Sequence, residues 1–126
     1  MTAGEHVIYE YAVIRVIPDL ERGECLNVGL VLYCQKRDFL EFRPGVDEQR
    51  LKALSPSLDL EGVRRALSGI EAHIKGDDHA GGDSLGRRFR WLTAPRSTIV
   101  QPGPVHPGLT DDPAGTSERL FARLVG

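Results

Sequence analysis

Two stretches of nearly unbroken apolar sequence lie close to the N-terminus, each with the length and residue types of a strand. Ile8 to Ile17 is rich in β-branched and aromatic residues and ends at Pro18, which predicts a strand apolar on both faces and central in its sheet. Charge and Gly23 break the chain between Asp19 and Glu24, and Cys25 to Cys34 then supplies the hairpin partner. Alternation puts Leu26, Val28, Leu30, Leu32 and Cys34 on one uniformly apolar face, and Cys25, Asn27, Gly29, Val31 and Tyr33 on the other. The first of these faces is the expected core. After a polar turn from Gln35 to Asp38, Phe39, Leu40 and Phe42 begin a shorter strand closed by Pro44 and Gly45. A three-stranded antiparallel meander follows.

The hydrophobic period then lengthens. Asp47 is placed to cap a short helix from Glu48 to Leu54, with Pro56 stopping it soon after. From Leu60 onward, Val63, Leu67, Ile70 and Ile74 recur at steps of three and four, lining one side of a helix that ends near Gly76. Gly62 and Gly69 each cost about 1 kcal/mol relative to alanine in such a helix, so close approach to a neighbour is the expected compensation. Gly76 to Gly86 has no period and reads as a glycine-rich, acidic loop. Arg87 to Pro95 fits either a strand or a helix, and Ser97 to Gln101 reads as a fourth short strand. Pro102, Pro104 and Pro107 make the next segment extended and non-helical. Asp112 and Pro113 then open a terminal helix with Leu120, Phe121, Leu124 and Val125 on its apolar face. The expected fold is α+β: a three- or four-stranded antiparallel sheet, a meander at its heart, with helices packed on one face.

At 126 residues the chain is long enough for one core, so residues 1–126 are expected to form a single domain. A net charge of -2 argues against a general nucleic-acid binder, which needs a basic excess to displace counterions. No apolar run reaches membrane-spanning length and no secretion-type leader is read, so a cytoplasmic location is expected. Cys25 and Cys34 lie about 30 Å apart along one extended strand. That is too far for a bridge, and both read as buried apolar fillers.

Three places carry candidate chemistry. Arg15 interrupts one apolar strand and Asn27 interrupts its partner. A guanidinium in such a position must find an internal carboxylate, for which Glu10 and Glu24 are nearby, or take an anion from outside. Gly29 leaves room over the sheet for a bulge, a packed ring or another chain, with packing the expected use. The second place is Arg87, Arg88, Phe89, Arg90 and Trp91, then Arg96, where arginines gather among aromatics without intervening acids. Such a run is either a solvated basic face or a contact for a partner or nucleotide. The third is His106, followed by Asp111 and Asp112, a general-base arrangement with no nucleophile beside it. Phosphate-loop, dinucleotide-binding and zinc-protease signatures are absent, and the loop residues Asp77, Asp78, His79 and Asp83 match no calcium or zinc spacing. No metal and no cofactor is expected.

The stretches YEYAVIRVIP, RGECLNVGLVLY and RFRWLTAPRSTIVQPGPVHPGL, which together span nearly the whole chain, resemble a bacterial family known as domain of unknown function 3037. The resemblance marks Arg15, Glu24, Asn27, Gly29, Arg96, Gln101 and His106 as motif positions. It departs from the family pattern at Gly103, where a serine is usual, and at Pro107, where a threonine is usual, which argues against a hydroxyl-based role there. It also implies a HipA-type kinase as a neighbour and partner. The leading expectation is therefore a non-catalytic binding or regulatory module that docks a partner protein through Arg15, Glu24, Asn27, Arg96, Gln101 and His106. The alternative is a nucleotide- or nucleic-acid-handling enzyme that sets Arg15, Arg96 and His106 around a phosphate.

Overall fold

In the computed structural model, which describes residues 5–76, 84–96 and 98–125, the strand β1 (Val7–Val16) is the spine of the sheet. On one side it pairs antiparallel with β2 (Leu26–Cys34), which pairs in turn with β3 (Phe39–Pro44). The other side of β1 is shared. Val16 to Ile14 pair with β4 (Val100–Pro102), and Tyr11 to Val7 pair with β5 (His106–Thr110). Between them the Gly103 N–H donates to the Val13 carbonyl at 2.8 Å, so the linker stays on the strand edge.

The sheet is antiparallel within an α+β fold and, among the described residues, has five strands rather than three or four. The additional strand, β5, contains Pro107 opposite Glu10. Proline cannot donate to a ladder, and it is tolerated here because β5 is an edge strand.

Among the described residues, four α-helices cover the sheet. These are α1 (Glu48–Leu54), α2 (Leu60–Lys75), α3 (Leu85–Thr93) and α4 (Pro113–Leu124). Each starts on the side chain of an expected type: Asp47, Asp59, Ser84 and Asp112 accept from the first-turn amides of Arg50, Gly62, Arg87 and Gly115. Gly76 ends α2 at φ 77°, a left-handed conformation that costs glycine little. Among the described residues, no helix is long and apolar enough to cross a membrane.

The expectation of helices on one face is corrected by α4. Ala12, Ile14, Val16, Val28 and Val31 pack in one cluster with Leu51 of α1, Val63, Leu67 and Ile70 of α2, and Phe89 and Leu92 of α3. Leu30, Leu32 and Cys34 are equally buried, but on the opposite face beneath α4. There the Ser117 hydroxyl donates to Glu41 at 2.6 Å and accepts from Arg43 Nε at 3.2 Å, and these β3 residues stand opposite Leu32 and Leu30. Central strands that are apolar on both faces require cover on both.

A register shift lies between Ile14 and Arg15: Ile14 stands opposite Gly29 and Arg15 opposite Asn27, leaving Val28 as the extra residue of a bulge. Asn27 and Gly29 therefore do not share a face, as simple alternation would have them. Gly29 lies under the Phe42 ring, whose Cε1 would be 2.5 Å from any added Cβ. Bulge and packed ring both occur, the uses foreseen for this glycine. Cys34 is buried as expected, whereas Cys25 is exposed because β2 begins one residue later.

Candidate functional site

Arg15 stands between Asn27 on β2 and Gln101 on β4. Both neighbours are engaged with backbone: Asn27 Nδ2 donates to the Leu124 carbonyl at 3.0 Å, and Gln101 Nε2 donates to the Thr98 carbonyl at 2.7 Å. Arg15 is not. Among the described residues its buried Nε has no hydrogen-bond partner and no carboxylate forms an ion pair with it. An unsatisfied buried donor costs about 1–3 kcal/mol.

The guanidinium lines a cleft of about 320 Å³ at the β4 edge, together with Arg96, Gln101, Thr93, Pro95 and the turn from Pro102 to Val105. Among the described residues no acid lines it, so two positive charges face one hollow. Gly103 forms part of the wall: a Cβ there would come within 3.3 Å of Arg15 Cζ. Arg96 is positioned by Trp91, with its Cζ 4.4 Å from the indole centroid and its Nη2 donating to the Trp91 carbonyl at 2.7 Å. Neither contact neutralises it, and among the described residues it has no carboxylate partner. Two guanidinium groups with free donors suit a carboxylate or a phosphate.

The proposed internal counter-ions for Arg15 are occupied elsewhere. Glu24 pairs with Arg22 at 2.7 Å, and that hydrogen bond together with the arginine's charge holds the Glu24 carboxyl below the usual carboxylate range. Glu24 is thus removed from the Arg15 cleft, in a separate hollow with Asp19 and Arg22. Glu10 receives both terminal nitrogens of Arg90 at 2.9 Å, and the same hydrogen bonds raise the Arg90 pKa.

The basic run is resolved as helix α3 rather than a strand. Phe89 is fully buried, stacked 5.4 Å from Tyr33, and Arg88 donates to the Ile74 carbonyl at 3.1 Å. Arg88 and Arg90 thus tie α3 down, and Arg96 is the member of the run that reaches the cleft. His106 lies exposed at the start of β5, its ring 5.4 Å from that of Tyr11, and is not among the cleft's lining residues. Among the described residues neither Asp111 nor Asp112 forms an ion pair with it, and Asp112 instead caps α4, accepting from the Gly115 N–H at 3.2 Å.

Among the described residues, no group of three or more His, Cys, Asp and Glu side chains is placed to hold a metal; Asp77, Asp78, His79 and Asp83 lie outside the described residues. The structure therefore brings together Arg15, Gln101 and Arg96, with Asn27 beside them, and separates Glu24 and His106. Sequence reasoning missed Trp91 as the group that sets Arg96. The available signal was the helix ending at Thr93 and followed by Pro95, which returns the chain toward its own last turn.

No curated protein and no solved structure matches the chain. A family model described as a protein of unknown function (DUF3037) matches residues 11–125, a span that contains every residue of the cleft, and the chain belongs to that family.

Proposed function

We propose that this protein is a non-catalytic binding module that docks a partner protein by seating one of the partner's acidic groups between Arg15 and Arg96. The observation that carries the reading is the cleft itself: among the described residues two arginines line it, no acid does, and one of the two has a buried donor without a partner. A partner's carboxylate in the cleft supplies a counter-charge that the described residues do not. The motif resemblance makes a HipA-type kinase in a bacterial cytoplasm the first partner to try. The test is copurification of the tagged chain with that kinase, comparing wild type with Arg15→Met and Arg96→Gln. Truncating one side of a buried charge pair costs about 2–5 kcal/mol. Capture is therefore expected to fall at least tenfold in both variants while their folds persist; repeated gentle pull-downs that yield the chain alone contradict the reading.

A second reading, a nucleotide- or nucleic-acid-handling enzyme, draws support from the same pair of guanidinium groups, which suit a phosphate equally well. The position of His106 outside the cleft lining weakens it. Thermal shift against nucleotides and short oligonucleotides separates the two, because a ligand at 100 times its Kd adds about 2.7 kcal/mol. A flat panel removes the second reading.

A further inference from the structure

A second and larger hollow, of about 560 Å³, lies on the other side of Arg96. Its floor is the Val63–Ala66–Gly69 side of α2, and its walls include Trp91, Ile99 and Val100. Trp91 is 54% exposed and Ile99 44%, although both flank the main core. The indole is held firmly, with the His73 ring 4.1 Å away and the Arg96 guanidinium 4.4 Å away. Sites for small organic molecules have volumes of roughly 300–1,000 Å³, apolar walls and a few polar groups that fix orientation. This groove matches each of those properties.

Its polar groups determine the class of ligand. The Asp59 carboxylate already accepts from the Gly62 N–H at 3.0 Å and lies 3.8 Å from Arg65, so it is committed to the start of α2. Arg96 uses one nitrogen on the Trp91 carbonyl, and among the described residues its remaining donors have no partner. We propose that the groove binds an amphipathic monocarboxylate, whose aromatic or alkyl body lies against α2 and Trp91 and whose carboxylate meets Arg96. The groove shares Arg96 with the cleft proposed for partner docking, whereas Arg15 lines the cleft alone.

Trp91 is the single tryptophan of the chain, so its fluorescence reports the groove directly. Titration of the full chain with 4-phenylbutyrate and decanoate is expected to give a saturable change in emission, with the corresponding alcohols binding at least tenfold more weakly. A Cβ at Gly69 meets nothing within 4 Å, so Gly69→Leu fills the groove while removing a helix-weakening glycine. That variant should melt no lower than wild type and lose the response. Arg96→Gln should bind the acids no better than the alcohols, and Arg15→Met should respond as wild type does. The proposal is overturned by the absence of a saturable response, by equal binding of acids and alcohols, by undiminished binding to folded Gly69→Leu, or by loss of binding in Arg15→Met.

Discussion

Arg15 and Asn27 face each other across β1 and β2, but only the asparagine has its needs met inside the protein. Asn27 holds the Leu124 carbonyl at the end of α4, whereas the buried Arg15 Nε has no partner among the described residues. Two polar side chains at adjoining positions in an apolar sheet thus differ: one is engaged within the protein, and the other keeps a donor that no described residue accepts from.

The Arg15 side of that contrast predicts an unusual mutational result. Arg15→Met keeps most of the apolar stem and removes the unsatisfied donor, so thermal melting should show a Tm equal to or above that of wild type. A drop corresponding to more than about 1 kcal/mol would mean that the guanidinium is structural.

Asn27→Ala should behave in the opposite way. It leaves the Leu124 carbonyl unpaired under a helix end, at a cost of about 1–2 kcal/mol by chemical denaturation, while anion binding at Arg15 persists.

Ser117 is fully buried and joins α4 to both Glu41 and Arg43, which themselves pair at 2.6 Å. Ser117→Ala should destabilise by about 1–3 kcal/mol, and hydrogen exchange in α4 should quicken more than in α2.

Glu24 is held below the ordinary carboxylate range by Arg22, so its contribution is present above its unfolded pKa and is lost as pH falls through the folded value. Both partners are exposed, and solvent screening keeps that contribution small. In melts across the acid range, any advantage of wild type over Glu24→Gln should vanish toward low pH. Anion binding by the two should be the same, because Glu24 lies outside the cleft.

Much of the fold was legible because its signals are local. The cap at Asp47, the three–four step of Val63, Leu67 and Ile70, and the Asp112–Pro113 start each appear in the helices as read. The two-faced apolar character of β1 already implied cover on both faces, a consequence that the one-face expectation did not carry through. β5 was hidden by Pro107, which reads as a break until the strand is known to lie at an edge. Gly29 pointed to a bulge, but its place at Val28 was not legible, since register depends on the partner strand, and that place decides which way Asn27 points.

Within the cleft, Arg15, Arg96 and Gln101 could be named from their chemistry, but their meeting depends on β4 returning to the edge of β1. Glu24 and His106 were plausible for the same reasons of chemistry. Glu24 is diverted by its neighbour Arg22, and His106 lies against Tyr11, which the pairing of β5 with β1 brings opposite it.

The central claim is that Arg15 takes its counter-ion from outside the chain. The most direct test follows the arginine Nε–Hε signals by NMR during titration with acetate and with inorganic phosphate. A saturable shift of the Arg15 signal is predicted, while that of Arg64, already bound by Glu48 and Glu61, stays in place. An Arg15 signal that does not move, or that drifts together with those of all the other arginines, would contradict the claim.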